Sequence, residues 1–212
     1  MKLYIADATS SQAIQIVANE LGLEPELIHF DVVDKTMSNG GDFAKVNPLL
    51  YVPVLELDTP DQHRLTEVTA IAAYLADSHP EAQLAPHAGT LERVKFDQLL
   101  AFIATEIQQR HVPLMRKLMT EEGVTWQHNK IANAYKVLDD RLARADFIAG
   151  DAFSIADAVV WGTFWHERSG VDIGHLKNLL AWKARMDARP SFQKALRDEA
   201  AIVARHKSRK AA

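Results

Sequence analysis

The chain has 212 residues, 48% apolar and 25% charged, with a formal net charge of −4, which suits one large or two small globular domains. It contains no cysteine, so disulfides, thiolate zinc sites and a protein-borne redox thiol are excluded, and any thiol chemistry must use a thiol brought by a ligand. No apolar run approaches the ~20 residues of a membrane span, and no basic-then-apolar leader precedes Lys2-Leu3-Tyr4-Ile5, so a cytoplasmic location is the expectation.

Lys2 to Ile5 predicts a short strand. Ser10 and Ser11 are good helix N-cap types; beyond them Ile14, Val17, Ala18 and Leu21 recur at helical spacing, and Gly22 ends the helix. Leu27 to Val33 is a second β run. Val52 to Leu57 and His63 to Leu65 form a hairpin across Asp58-Thr59-Pro60-Asp61, and Glu67 to Ser78 a helix with Ile71, Tyr74 and Leu75 on one face. The order β-α-β, loop, β-β-α predicts a small mixed sheet flanked by helices. After a linker over residues 81–90 the signals are helical. Leu91 to Met119 carries Leu99, Ile103 and Ile107 in register and a kink at Pro113; Ile131, Tyr135, Leu138 and Leu142 mark a second helix. Ile155 to Trp165 is apolar nearly all round and should be buried on every side. Leu176, Leu179, Leu180 and Met186 mark another helix, and Pro190 separates it from a last one starting near Ser191. The expected architecture is α/β followed by all-α: a mixed-sheet domain over 1–80 and a bundle of about five helices over 91–212.

Charge follows the same division. Residues 1–80 hold 4 Lys and Arg against 12 Asp and Glu, whereas residues 81–212 hold 20 against 16. Arg205, Lys207, Arg209 and Lys210 crowd the C-terminus and read as a solvated, frayed tail rather than a nucleic-acid arm. Ser154-Ile155-Ala156-Asp157 has the form of a capping box, with a catalytic role for a buried Asp157 as the other reading. None of the nine histidines pairs with another at a helical spacing of three or four, so no metal site is expected. Asn39-Gly40-Gly41-Asp42 is a turn rather than a phosphate loop.

Two segments point to a peptide ligand. Pro53 opens the run Val54-Leu55; a proline there marks a turn or an edge, and a cis bond would leave the Val52 backbone free to pair outside its own sheet. Glu67 opens the next helix, offering a carboxylate beside free backbone N–H groups, which suits a zwitterion.

The chain resembles the cytosolic glutathione transferases, and most the bacterial beta class. The resemblance runs through Met1-Lys2-Leu3-Tyr4, Asn47-Pro48, Val52-Pro53-Val54-Leu55, Leu65-Thr66-Glu67-Val68-Thr69-Ala70-Ile71 and Tyr74-Leu75-Ala76-Asp77. It continues through Leu91-Glu92-Arg93, Phe102-Ile103-Ala104-Thr105-Glu106, Phe153-Ser154-Ile155-Ala156-Asp157-Ala158 and Arg189-Pro190-Ser191. It implies a thioredoxin-like N-terminal domain, a helical C-terminal domain and a homodimer. It also implies glutathione as co-substrate with no permanently bound cofactor, a small electrophile as second substrate, and neither nucleic-acid nor membrane partners.

By the same resemblance, Val52 and a cis Pro53 bind the cysteinyl backbone of glutathione, Glu67 its γ-glutamyl ammonium, and the Val68 N–H its γ-glutamyl carboxylate. Lys35 approaches the glycyl carboxylate. Gln108, His111, Trp165 and His166 belong to the second-substrate pocket. The chain departs from the class pattern in having Ser10-Ser11 where a cysteine and a serine stand, and Asp7-Ala8 where Pro-Gly often stands. Val68 replaces a serine, Gln108-Gln109 replace His-Lys, and His166 aligns with a tryptophan. A hydroxyl at the positive end of the first helix would stabilise a ligand thiolate. Ser10 is the candidate by alignment, with Ser11 beside it, and serine in place of cysteine excludes a mixed disulfide with glutathione. The expected activity is transfer of glutathione to an electrophile, with glutathione-dependent isomerisation or dehalogenation as a variant. A glutathione-transferase-like binding or interaction protein with weak or no transfer activity is the alternative.

Overall fold

The computed structural model describes residues 1–211, which form two compact units: 1–82 together with 189–211, and 83–188. In the first unit, β1 (Lys2–Ile5) leads into α1 (Ser11–Glu20), and β2 (Glu26–His29) returns parallel to β1 with Leu3 against Leu27. Gly22 ends α1 as expected, at a φ of 66°. β2 stops short of the expected Val33 because Asp31 turns the chain. Its Oδ1 accepts the N–H of Val33 at 2.9 Å and of Asp34 at 3.4 Å, which leaves Val33 87% exposed.

β3 (Val54–Glu56) runs antiparallel to β1, and β4 (Arg64–Leu65) antiparallel to β3, completing a sheet ordered β2-β1-β3-β4. β3 starts two residues later than the sequence pattern suggests, because Pro53 has no N–H to give the ladder. α2 (Val68–Ser78) buries Val68, Ile71, Ala72, Leu75 and Ala76; Tyr74 lies off that stripe and is exposed.

The second unit is helical. α3 (Leu91–Phe102) passes directly into a π-helical segment, Ile103–Gln108, and then α4 (Gln109–Met115). The distortion expected at Pro113 therefore lies upstream of it. The proline ring crowds the carbonyl of Gln109, its i−4 residue, where the widened turn ends. α5 (Glu121–Leu142), capped by Thr120, buries Ile131, Tyr135, Leu138 and Leu142 as read from the sequence. α6 (Ile155–Gly162) is buried at every residue; it ends before Trp165 because Thr163 bends back, its hydroxyl donating to Val159 O at 2.8 Å. The short α7 (His166–Ser169) and α8 (Lys177–Asp187) follow.

α9 (Pro190–Ala211) begins with its proline at the first helical position. The sequence reading placed it in the helical domain; its contacts group it with residues 1–82. Glu20 accepts from Arg189 at 2.9 Å and from the Ser191 hydroxyl, and Asn19 donates to Ser191 O at 2.9 Å. Glu199, deep in the interface with α1, accepts from Ala8 N–H at 3.1 Å and Gln12 Nε2 at 2.8 Å. No helix among the described residues is long and apolar enough to cross a membrane.

Candidate functional site

Strand register gathers the candidate residues of the first unit at one end of the sheet. Ile5 at the end of β1 pairs with His29 at the end of β2, so the loops carrying Ser10 and Lys35 leave the sheet side by side. β3 enters antiparallel at that same end, Val54 opposite Tyr4, which puts Val52 and Pro53 there. β4 leaves there too: Leu65 lies opposite Leu55, and continuing the register sets Glu67 beside Pro53. The N-termini of α1 and α2 consequently share this edge.

The Val52–Pro53 peptide is cis, and the Val52 main chain makes no hydrogen bond among the described residues, while Tyr51 O accepts from Asn47 Nδ2 at 2.9 Å. Glu67 is exposed and holds φ 68°, ψ 115°, in the left-handed half of backbone space where a non-glycine residue costs on the order of 1–3 kcal/mol. Its side chain does not cap α2. The first N–H groups of α2, Val68 and Thr69 among them, therefore face the open edge with their dipoles uncompensated.

Ser10 and Ser11 are both buried, Ser10 at 4% exposure, and they separate by their hydrogen-bond partners. Ser11 is fully buried. Its Oγ accepts from Ala6 N–H at 3.2 Å, donates to Ala6 O at 3.3 Å and lies 2.8 Å from Thr9 Oγ1, fastening the β1–α1 loop. Ser10 occupies the N-cap position, yet its side chain makes no capping bond and its hydroxyl has no partner among the described residues. Lys35 folds onto its own loop, Nζ donating to Val32 O at 2.6 Å and lying 5.8 Å from the Phe30 ring centroid.

In the second unit, Gln108 closes the π-helical segment half-buried and Gln109 is exposed. Trp165 and His166 are half-buried around Phe164, with His166 edge-on to Phe164 at 4.9 Å between centroids. His111 differs from its expected place in a pocket lining. It is 0% exposed, Nδ1 bonded to Ser169 Oγ at 2.7 Å and Nε2 to Tyr135 OH at 2.9 Å. Both ring nitrogens are committed because α5 and α7 close over this face of α4, so His111 is a core residue. Arg110 pairs with Glu106 one turn back at 2.5 Å and lies over Trp126.

Burial, with smaller contributions from His166 and His128, pushes the His111 pKa down to about 4. The sign follows directly. The folded state binds this proton less well than the unfolded chain, so stability is complete above the unfolded pKa and falls as pH drops towards 4. We expect a loss of roughly 1.4 kcal/mol per pH unit between about 6.5 and 4 from this group. Urea unfolding at several acidic pH values checks it; His111→Asn should flatten that slope, and an unchanged slope would assign the acid sensitivity elsewhere.

Sequence reasoning missed Glu199, His29 and His206. The signals were there: Asp7-Ala8 in place of Pro-Gly, and the basic residues of the C-terminus. Asp7 is bonded to His29, and Ala8, at φ 49°, gives its N–H to Glu199. Among the described residues no cluster of three His, Asp or Glu side chains stands close enough to hold a metal ion.

Residues 9–78 match the family model of the glutathione S-transferase N-terminal domain, and residues 102–190 that of the C-terminal domain. Glutathione S-transferase GstA of Escherichia coli O157:H7 is 34% identical over 200 residues, which cover 94% of this chain and 98% of that protein. A sphingomonad glutathione S-transferase solved in complex with glutathione has a TM-score of 0.87 at 33% identity, over 94% of this chain and 99% of that one. The beta-class glutathione S-transferase of Sphingomonas chungbukensis has a TM-score of 0.86 at 34% identity, over 94% and 98%.

Proposed function

The chain belongs to the glutathione S-transferase family, most like its bacterial beta class, and on that premise we propose how it transfers the sulfur of glutathione to a small electrophile. The observation that carries the reading is the unpartnered Ser10 hydroxyl at the N-terminus of α1, on the sheet edge that also holds the free Val52 main chain and the open end of α2. Ser10 Oγ–H donates to the glutathione sulfur, and the positive end of α1 adds to it, so the thiolate is favoured at neutral pH. The Val52 N–H and C=O pair with the cysteinyl residue as an added strand would. Glu67 accepts from the γ-glutamyl ammonium, and the Val68 N–H donates to the γ-glutamyl carboxylate, without the hydroxyl that a serine would add. Lys35 reaches the glycyl carboxylate by giving up Val32 O, a small cost for an exposed side chain.

The thiolate then attacks the electrophilic carbon as the leaving group departs with its electron pair, and the enzyme gains rate by fixing sulfur and carbon together. Gln108, Trp165 and His166 contribute to the second-substrate pocket. A homodimer in the cytoplasm with a detoxifying role fits this reading.

Retention on immobilised glutathione followed by turnover of an aryl halide tests it. Binding without turnover would favour a ligand-binding role, and neither would retire the glutathione site. Glu67→Ala is expected to weaken glutathione binding at least tenfold, about 1.4 kcal/mol or more for a charged hydrogen bond, measured by calorimetric titration. An unchanged dissociation constant would remove Glu67 from the site.

A further inference from the structure

We propose that His206, acting through His29, is a positioning residue for the glutathione site: the two imidazoles share one proton and in that state brace both loops that carry proposed glutathione contacts. The inference rests on the glutathione reading above. His29 ends β2, 1% exposed, and its Nδ1 lies 2.8 Å from Nδ1 of His206 on α9, itself 5% exposed. The rings meet edge to face at 5.0 Å between centroids. On its other side, His29 Nε2 lies 2.5 Å from Asp7 Oδ1, in the loop that ends at Ser10. His206 Nε2 lies 3.4 Å from Thr36 Oγ1, next to Lys35. The Thr36 hydroxyl donates to Asp34 Oδ1 at 2.7 Å, so its approach to His206 is a packing contact; the chain Asp7–His29–His206, with Lys210 of the same helix on Asp31 and Asp34, ties the Ser10 loop to the Lys35 loop through α9.

The basic residues at the end of α9 reinforce the tie rather than fraying. Lys207 donates to Asp7 at 3.2 Å, Lys210 to Asp31 at 2.9 Å and Asp34 at 2.5 Å, and Arg209 to Ser38 O at 3.3 Å. The departure at Asp7 gains its meaning here, since a proline at that position would offer neither His29 nor Lys207 an acceptor.

An Nδ1-to-Nδ1 contact holds a single proton. With Asp7 accepting from His29 Nε2–H, the neutral His29 ring keeps a lone pair on Nδ1, and His206 Nδ1–H donates into it. A proton on each Nδ1 would set two N–H groups head to head. It would also add positive charge beside Lys207, Lys210, Arg205 and Arg209, opposed by Asp7, Asp31, Asp34 and Glu26. Burial first, then Lys210 and His29, hold the His206 pKa below the ordinary imidazole value. The braced state thus binds fewer protons than the open one. It persists above about pH 6.5 and is lost as pH falls.

S-methylglutathione separates this effect from ionisation of the ligand thiol. Its dissociation constant for the wild-type protein is expected to rise about three- to tenfold between about pH 7.5 and 5.5. The amide of an asparagine stands near the place of Nδ1 and does not titrate, so His206→Asn should keep the neutral-pH affinity within about twofold and abolish the rise. His206→Phe should be weakened at both pH values, with glutathione KM raised and kcat retained. A wild-type pH rise surviving in His206→Asn, or a His206→Phe variant indistinguishable from wild type, would overturn the proposal. Hydrogen exchange of segments 6–10 and 31–38, corrected for intrinsic rates, gives the second readout. It should quicken at the lower pH in the wild type and not in His206→Asn, and equal behaviour of the two would also overturn the proposal. Failure of the wild type to bind S-methylglutathione at neutral pH would instead overturn the glutathione reading, leaving the brace to be decided by exchange.

Discussion

Ser10→Ala is expected to lower kcat/KM about ten- to hundredfold with little change in stability, whereas Ser11→Ala is expected to do the reverse. A hydrogen bond to a charged sulfur is worth about 1.5–3 kcal/mol, so its loss should raise the pKa of bound glutathione by about one to two units. The Ser10 side chain contributes no bond within the fold, and alanine keeps its main-chain bond from Ala13 N–H and leaves no buried donor or acceptor unpaired. Ser11 carries the three-way bond to the Ala6 main chain and Thr9. Its removal should cost about 1–3 kcal/mol and loosen the loop. Thiolate absorbance of the bound ligand against pH, together with urea unfolding of each variant, decides the matter. A thiolate titration unchanged in Ser10→Ala but shifted in Ser11→Ala would exchange the two roles.

Asp157→Ala should be the most destabilising single change in the helical unit, by about 3–5 kcal/mol. The carboxylate is fully buried. Oδ1 accepts from Ile148 N–H at 2.9 Å and Trp182 Nε1–H at 2.8 Å, and Oδ2 from Ser154 N–H at 3.0 Å and Ser154 Oγ–H at 3.1 Å. Burial raises its pKa, and these four donors work against that rise. Alanine would strand all of them in the interior. Asparagine would rescue only in part, because its NH2 group would face two donors. Against a typical total of about 5–15 kcal/mol, such a loss brings the unit near unfolding at physiological temperature. Thermal and urea unfolding give the measurement. A variant that unfolds like the wild type but has no activity would restore the catalytic reading of Asp157 over the capping one.

Local signals carried a good deal of this protein. The strand and helix order of the first unit, the stop at Gly22, the capping box at Ser154 and the all-round burial of α6 depend on residues a few positions apart, so their physics is complete within a short window. The same holds for Pro53 before β3 and Glu67 before α2. Where a turn competed with an apolar run, as at Asp31, the side-chain bond won and the strand ended early. Tyr74 and Thr163 are errors of the same short range: a stripe assigned one residue too wide, and a helix carried past a hydroxyl that folds back on it.

The amino-acid sequence by itself determined the two-part architecture, the absence of any thiol in the chain, and the hydroxyl pair at the head of the first helix. Tertiary structure alone decided which hydroxyl stays free, because Ser10 and Ser11 differ only in whether the side chain turns back to Ala6. It also decided that His111 belongs to the core, since a helical position that looks exposed is covered by elements far along the chain. The union of His29 with His206, 177 residues apart, has the same cause. Periodicity reports which face of an element is apolar, but the partner of a polar side chain is set by how distant elements close upon it.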